Sequence, residues 1–168
     1  MTPLFYESKI LSVAIMLFLI LLPRIAFGQT SINHTIPVTV SPVSIIRVLG
    51  GDVTINITGA DATAGVDQMT SAPNDASTLI WGTNSTPRKI TISTNLTPQT
   101  YTLKAEARSP SVGSAVGEVT LSTAAYDYDF ITDVGRTSGN AVIRYTGIAL
   151  ASKGIGTDSH SITFTITP

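Results

Sequence analysis

Two aspartates in the segment AYDYDF have the spacing in this chain that best suits acid–base chemistry. In an extended strand, Asp127 and Asp129 point to one face, with their carboxyl groups roughly 7 Å apart. Carboxylates paired at such a separation hydrolyse glycosides with inversion. In the alternative interpretation, Tyr126, Tyr128 and Phe130 face a core and the two aspartates lie in water. We favour the alternative, so neither aspartate is predicted to be catalytic.

The only two histidines of the sequence, His34 and His160, are a second place to look for chemistry. No H-x-x-x-H motif accompanies either of them, so a zinc site is not indicated. A Ser-His-Asp triad can draw its members from anywhere in a chain, but the G-x-S-x-G motif is absent. We therefore predict no catalytic, metal-binding or cofactor-binding residue, and a protein that is not an enzyme.

Three aspartates lie in the aperiodic segment ADATAGVDQMTSAPND: Asp61, Asp67 and Asp75. Calcium takes about six to eight oxygen ligands from a compact loop, and the spacing of these residues does not follow that of an EF-hand. Asp and Asn are also common in turns for conformational reasons. The segment is predicted to be a long loop, and calcium binding there stays open.

Five aromatic residues have the chemistry of a sugar-stacking platform: Trp81, Tyr101, Tyr126, Tyr128 and Tyr145. A platform requires that several of these rings reach the surface together. The alternative is that Trp81, which lies on a short predicted strand, belongs to the core. We favour the core position for Trp81 and keep carbohydrate binding as an alternative function.

The elements that carry these residues are predicted to be strands. Apolar and polar residues alternate with period 2 along the chain, and no stretch has the apolar periodicity of an amphipathic helix. Thr, Val and Ile are abundant, as in pleated sheets, and Gly, Pro, Asn and Asp mark the turns. The pattern predicts an all-β protein: an antiparallel, immunoglobulin-like β-sandwich of about nine strands, with a closed barrel as the alternative.

One strand and one hairpin are predicted in the first third of the chain. HTIPVTV (residues 34–40) alternates and predicts a strand, and Pro37 indicates that this strand lies at a sheet edge or turns the side without an N–H outward. Farther on, Gly-Gly-Asp at residues 50–52 separates two alternating stretches and predicts a hairpin, with residues 53–57 as its second strand.

The sequence closes on the regular alternation SHSITFTITP. We expect Ile162, Phe164 and Ile166 to face the core, and Thr163 and Thr165 to face water. A strand of this kind at a sheet edge can pair with a strand of another chain. The alternating segment HTIPVTV is a candidate for the strand that it would receive.

The N-terminal segment has the features of a signal peptide. The apolar run at residues 10–23 is about fourteen residues long, short of the roughly 20 that cross a bilayer. Ala26 and Gly28 are placed as the small residues of a cleavage site. We therefore expect residues 1–28 to be a signal peptide and residues 29–168 a single β-sandwich domain; the alternative is an uncleaved membrane anchor.

The net charge and the cysteine content bear on the partners of the protein and on what stabilises its fold. The formal net charge is −1, with 10 Lys and Arg against 11 Asp and Glu. The basic residues are scattered, which argues against nucleic acid as a partner. The sequence has no cysteine, so its domain is held together without disulfides.

The segment GNAVIRYTGIALASKGIGTDSHSITFTITP resembles the closing portion of small exported bacterial β-sandwich proteins. It combines a long strand, a turn rich in Gly and Thr, and a final strand with alternating Thr. In this respect the chain is similar to pilin-like and spore coat protein U-like domains. The resemblance implies a structural or adhesive surface component, with no catalytic residues to carry over.

Three functions follow as hypotheses. The first is a secreted or cell-surface structural protein that acts by assembly or attachment, through self-association or through another surface protein at its edge strands. The second is a carbohydrate-binding module with exposed aromatic residues. The third is a small secreted glycoside hydrolase built on Asp127 and Asp129.

Overall fold

The computed structural model describes residues 31–96, 98–122 and 126–168. The chain divides into two compact units, Met1–Thr39 and Val40–Pro168. In the first unit, residues 31–39 form neither helix nor strand, and all of them are exposed. The predicted signal peptide, residues 1–28, lies outside the described residues.

The second unit is an antiparallel β-sandwich, which confirms the predicted fold class. Its described residues form ten strands: β1 (Ser44–Leu49), β2 (Gln68–Thr70), β3 (Asn74–Thr83), β4 (Arg88–Thr94), β5 (Thr102–Arg108), β6 (Ser114–Ala115), β7 (Glu118–Leu121), β8 (Tyr128–Val134), β9 (Ser138–Leu150) and β10 (Ile162–Thr167). One sheet has the order β1-β3-β9-β5-β7, with β2 paired to β9, and the other has the order β10-β4-β8-β6.

The core lies between the two sheets and follows from the period-2 alternation. Ile90 and Ile92 of β4 are fully buried, as are Leu79 of β3 and Ile143 of β9. Successive side chains of a strand point to opposite faces, so each sheet supplies one apolar face to the interior. Partly buried residues, Phe164 among them, pack against this core from the side of β10.

The predicted strand at residues 34–40 is wrong, because these residues have no strand structure. Alternation alone cannot form a strand, since a strand exists only where its backbone groups find a neighbouring ladder. Pro37 also removes one of the donors that such a ladder would need.

The predicted hairpin at residues 50–52 is also wrong. Its first strand exists as β1, but β1 pairs with β3, from Ser44 opposite Thr83 to Leu49 opposite Thr78. Gly50 has a φ of +108° and lies so close to β3 that an added Cβ would be 2.4 Å from the Ala76 carbonyl oxygen. The chain therefore turns along β3, and residues 53–57 do not form a strand.

Two short strands lie outside the alternating segments of the sequence. β2 lies within the aperiodic segment that carries Asp61, Asp67 and Asp75, and β6 lies in the Gly-rich connection before β7. Both have only two or three residues. Such short pairings carry no readable alternation, so sequence periodicity does not reveal them.

Candidate functional site

The strand β10 ends the second sheet. Among the described residues it pairs with β4 alone, in unbroken register from Ile162 opposite Thr94 to Thr167 opposite Lys89. Thr163 and Thr165 are exposed and Phe164 is half-buried. One edge of this strand therefore presents N–H and C=O groups that have no ladder partner among the described residues, and such groups are what a strand from another chain needs for pairing.

The other strands that end the two sheets differ from β10 in ways that protect edges. β1 carries Arg47, and β7 carries Glu118, whose carboxylate accepts a hydrogen bond from Lys104 Nζ at 2.6 Å. β6 is only two residues long. β10 has six residues and no charge, proline or register shift. Charges and short length are common defences against edge-to-edge pairing, and β10 has neither.

The edge of β10 borders a cavity of about 1150 Å³, which we call the β10 cleft. Its walls are β10, residues 51–59 and the turn at residues 154–161. The inner faces of β5 and β9 supply Leu103, Tyr145 and Gly147 to it. A smaller cavity of about 260 Å³ separates β10 from β1. The two sheets therefore leave an open, partly apolar side where β1 and β10 come near each other.

The β10 cleft has one buried tyrosine, Tyr145, among its lining residues. Burial raises the pKa of Tyr145 to about 12, so its hydroxyl stays protonated at physiological pH. Its ring is 7% exposed and belongs to the core cluster.

The turn beside β10 is held by His160 and Asp158. Nδ1 of His160 shares a hydrogen bond of 3.0 Å with Thr94 Oγ1. Burial lowers the pKa of His160, while the nearby Asp158 acts in the opposite direction. The Asp158 carboxylate accepts hydrogen bonds from the backbone N–H groups of Thr100 at 2.7 Å and Tyr101 at 2.8 Å. These contacts give both side chains a structural role. His34, the other histidine, lies in the first unit and is exposed.

Asp127 and Asp129 do not form a pair of free carboxylates. Asp127 is exposed and precedes β8, whereas Asp129 lies within β8 and forms an ion pair of 2.8 Å with Lys89 Nζ. Phe130 is buried, Tyr128 is half-buried and Tyr126 is exposed. The aromatic side chains of this segment are therefore buried at Phe130, partly buried at Tyr128 and exposed to solvent at Tyr126.

The three aspartates considered for calcium are not brought together, because each serves a separate contact. Asp61 accepts the backbone N–H of Thr58 at 2.7 Å and caps the short 3-10 turn at Gly59–Asp61. Asp67 accepts the backbone N–H of Ser152 at 2.9 Å. The Arg144 guanidinium donates two hydrogen bonds to Asp75, which lowers the pKa of that carboxyl. Nowhere in the described ranges do three or more His, Asp or Glu side chains gather in a geometry that could hold a metal ion.

The five aromatic candidates do not form one platform. Trp81 and Tyr145 belong to the core, and the half-buried Tyr101 donates its hydroxyl to the carbonyl oxygen of Gly154 at 3.0 Å. Tyr126 is 64% exposed, and its ring centroid lies 6.3 Å from that of Tyr128. The exposed aromatic surface from this set is therefore a single tyrosine with a half-buried neighbour.

Comparison of the chain with protein-family models, with curated proteins and with solved structures finds no match in any of the three. Within the described part of the chain, no helix has the length and apolar character needed to cross a membrane.

Sequence reasoning pointed to the edge of β10 but not to the β10 cleft. The alternation of β10 is readable in the sequence, whereas the cleft arises from how far the two sheets overlap. The sequence signal that bears on the β10 cleft is the Gly-Gly-Asp turn at residues 50–52, where the chain changes direction. It does not reveal that the following segment lies beside the core without joining a sheet.

Proposed function

We propose that the protein is an exported structural or adhesive component that acts by self-assembly at the cell surface or outside the cell, without catalysis. The observation that carries this proposal is the edge of β10. It is a regular, uncharged strand of six residues at the end of its sheet, beside an open cleft. Edges of this kind favour strand addition.

The side chains of β10 also support the assembly proposal. Phe164 packs on the core, so the strand is fixed in position, and Thr163 and Thr165 present β-branched polar side chains on its outer face. A strand added beside β10 would extend the second sheet at the usual spacing of about 4.8 Å and satisfy the free backbone groups.

Export is the second part of the proposal, and the N-terminal sequence supports it. An apolar run at residues 10–23 followed by small residues is typical of a signal peptide. The absence of cysteine throughout the sequence is compatible with an oxidising exterior, where free thiols would react. Mass spectrometry of the protein purified from its host should find an N-terminus at or near Gln29; an intact Met1 on a membrane-embedded product contradicts export.

The test of assembly is a charge placed on the β10 edge. We expect the wild-type mature protein to form oligomers at high concentration in light scattering, and Thr165→Lys to reduce their size, since an edge lysine opposes strand pairing. Thr120→Lys is the matched control, because Thr120 is an exposed threonine of β7, an edge already protected by Glu118. Urea unfolding of both variants verifies that the fold is intact.

A monomeric wild-type protein at all concentrations contradicts the proposal. Equal effects of Thr165→Lys and Thr120→Lys would also contradict it, since assembly would then depend on general charge and not on the edge of β10.

Carbohydrate binding is the second candidate, and the exposed ring of Tyr126 favours it. An exposed tyrosine can stack on a sugar ring, and Asp127 beside it offers hydrogen-bond acceptors. Binding to insoluble polysaccharides should be lost in Tyr126→Ala and kept in Tyr101→Phe, which keeps a half-buried ring and removes only its hydroxyl. Equal binding by both variants contradicts a role for Tyr126.

A further inference from the structure

Residues 53–57 (VTINI) have the side-chain pattern of a strand. Val53, Ile55 and Ile57 are half-buried, and Thr54 and Asn56 between them are exposed. Val53 and Ile55 pack against the core cluster. Ile55 and Ile57 lie over Gly147 of β9, where an added Cβ would be 3.0 Å from Ile55 Cγ2 and 3.4 Å from Ile57 Cδ1. The apolar side chains therefore fix this segment on the interior face of the first sheet.

The backbone of the same segment lacks a ladder. No N–H or C=O of residues 53–57 forms a hydrogen bond with another described residue. The segment is nevertheless held at both ends, by Gly50 against Ala76 and by the turn that begins at Thr58. Backbone groups of a packed segment normally find partners. A segment with strand-like side chains, fixed ends and an unpaired backbone has the properties of a strand that lacks a neighbour within the described part of the chain.

The sequence of the segment is complementary to itself in antiparallel pairing. With Ile55 opposite Ile55 of a second copy, Val53 faces Ile57 and Thr54 faces Asn56. Apolar residues then meet apolar residues, and polar residues meet polar ones, on the same face of the pair. The adjoining Asp52 faces Thr58, so the register opposes no like charges.

We propose that residues 53–57 pair antiparallel with the same segment of a second copy of this chain, about a two-fold axis at Ile55. This inference rests on the proposed self-assembly and extends its interface, because residues 51–59 line the same β10 cleft as Ile162 and Phe164. Two-fold interfaces, in which the same surface is used by both copies, are the commonest in homo-oligomers. The pairing supplies the missing ladder to both copies at once.

Engineered cysteines test the register, because the natural chain has no thiol that could interfere. In the proposed pair, residue 54 of one copy faces residue 56 of the other, at a Cα separation of about 4.5–5.5 Å, within the range of a disulfide. A copy of Thr54→Cys that carries a tag for size is mixed with untagged Asn56→Cys under mild oxidation. We expect the tagged–untagged disulfide dimer to dominate.

Each variant oxidised alone is the first control. Its thiols are diagonal neighbours, roughly 7–8 Å apart, so it should cross-link several-fold more slowly than the mixture. Thr63→Cys mixed with Asn56→Cys is the second control, since residue 63 lies in an exposed turn outside the segment. Equal cross-linking in all mixtures would overturn the proposal, because it would reflect random collision.

Light scattering of the wild-type protein in the same buffer separates this inference from the proposed function. Oligomers that depend on Thr165 without the 54–56 disulfide would overturn the pairing of residues 53–57 and leave assembly through β10 standing. A wild-type protein that stays monomeric would overturn the proposed function. As a readout without substitutions, amide hydrogen exchange of residues 53–57 should slow at least tenfold from dilute to concentrated protein; a rate independent of concentration overturns the pairing.

Discussion

The rings of Phe164 and Phe130 lie 5.5 Å apart between centroids, with their planes tilted by 54°. Phe130 is fully buried in β8, whereas Phe164 is half-buried in the edge strand β10. Tilted aromatic pairs at such distances add about 0.5–1.5 kcal/mol beyond the area they bury. This contact reaches across β4 and joins the edge strand β10 to β8 in the second sheet.

Replacing Phe164 by Ala tests that attachment. We expect a loss of about 2–4 kcal/mol of unfolding free energy, somewhat below the range of about 3–5 kcal/mol for fully buried phenylalanines, because Phe164 is only half-buried. Thr165→Ser on the exposed face should change stability by less than about 0.5 kcal/mol. Urea midpoints of the two variants give the comparison; equal midpoints would mean that β10 is not attached through Phe164.

Gly139 of β9 lies directly against Trp81, and a Cβ at this position would be 2.5 Å from Trp81 Cζ2. Gly139→Ala therefore forces the indole or the strand to move, and we expect a loss of about 1–3 kcal/mol, as for other overpacked cores. Gly135→Ala is the control, because nothing lies within 4 Å of an added Cβ there. Tryptophan emission reports the displacement, since Trp81 is 3% exposed and is the single tryptophan of the sequence. An unchanged urea midpoint for Gly139→Ala would contradict the close contact.

Period-2 alternation predicted the longer strands, which find partners among the described residues, but not the short strands β2 and β6. Ile90 and Ile92 of β4 are buried as the sequence indicates, and so are the inward residues of β5 and β9. The same alternation failed at residues 34–40 and 53–57, which form no strand. Alternation reports which face of a segment is apolar. It contains no information on whether a neighbouring backbone is present, because hydrogen-bond partners come from distant parts of the chain.

The candidate site, like the fold, was predictable from the sequence only in part. The uncharged alternation of residues 162–167 marks an edge strand suited to pairing, and this much is readable in the sequence. The β10 cleft is not, since it depends on how the sheets overlap. Burial of Trp81 and exposure of Tyr126 likewise depend on which strand ends beside which, although both are aromatic residues in similar alternating segments.

Asp158 holds the turn beside β10 through two backbone N–H groups, those of Thr100 and Tyr101. Asp158→Ala leaves both donors without their charged acceptor, so we expect a loss of about 1–3 kcal/mol of unfolding free energy. Asp127→Ala removes an exposed carboxylate of equal charge and should cost less than about 0.5 kcal/mol. Urea unfolding of both variants at neutral pH measures the difference; equal costs would show that the turn does not depend on Asp158.

The stability of the domain should decrease between pH 7 and pH 5 because of His160. Burial lowers the pKa of this imidazole in the folded state below its usual value of 6.5, and its Nδ1 shares a hydrogen bond with Thr94. As the pH falls, the unfolded chain therefore binds the proton before the folded chain does, and unfolding is favoured. The stabilisation that comes from neutral, buried His160 is complete above about pH 6.5 and is lost progressively below it. The neighbouring Asp158 reduces the size of the effect, since its charge favours protonated His160.

Urea midpoints should decrease from pH 7 to pH 5 in the wild-type protein and decrease less in His160→Gln, which keeps a polar group near Thr94 but does not titrate. The lowered pKa of Asp75 acts only at more acidic pH, below its usual value of 3.8, so it does not contribute in this interval. A wild-type midpoint that stays constant, or that decreases equally in the variant, would mean that burial of His160 does not control the acid sensitivity of the domain.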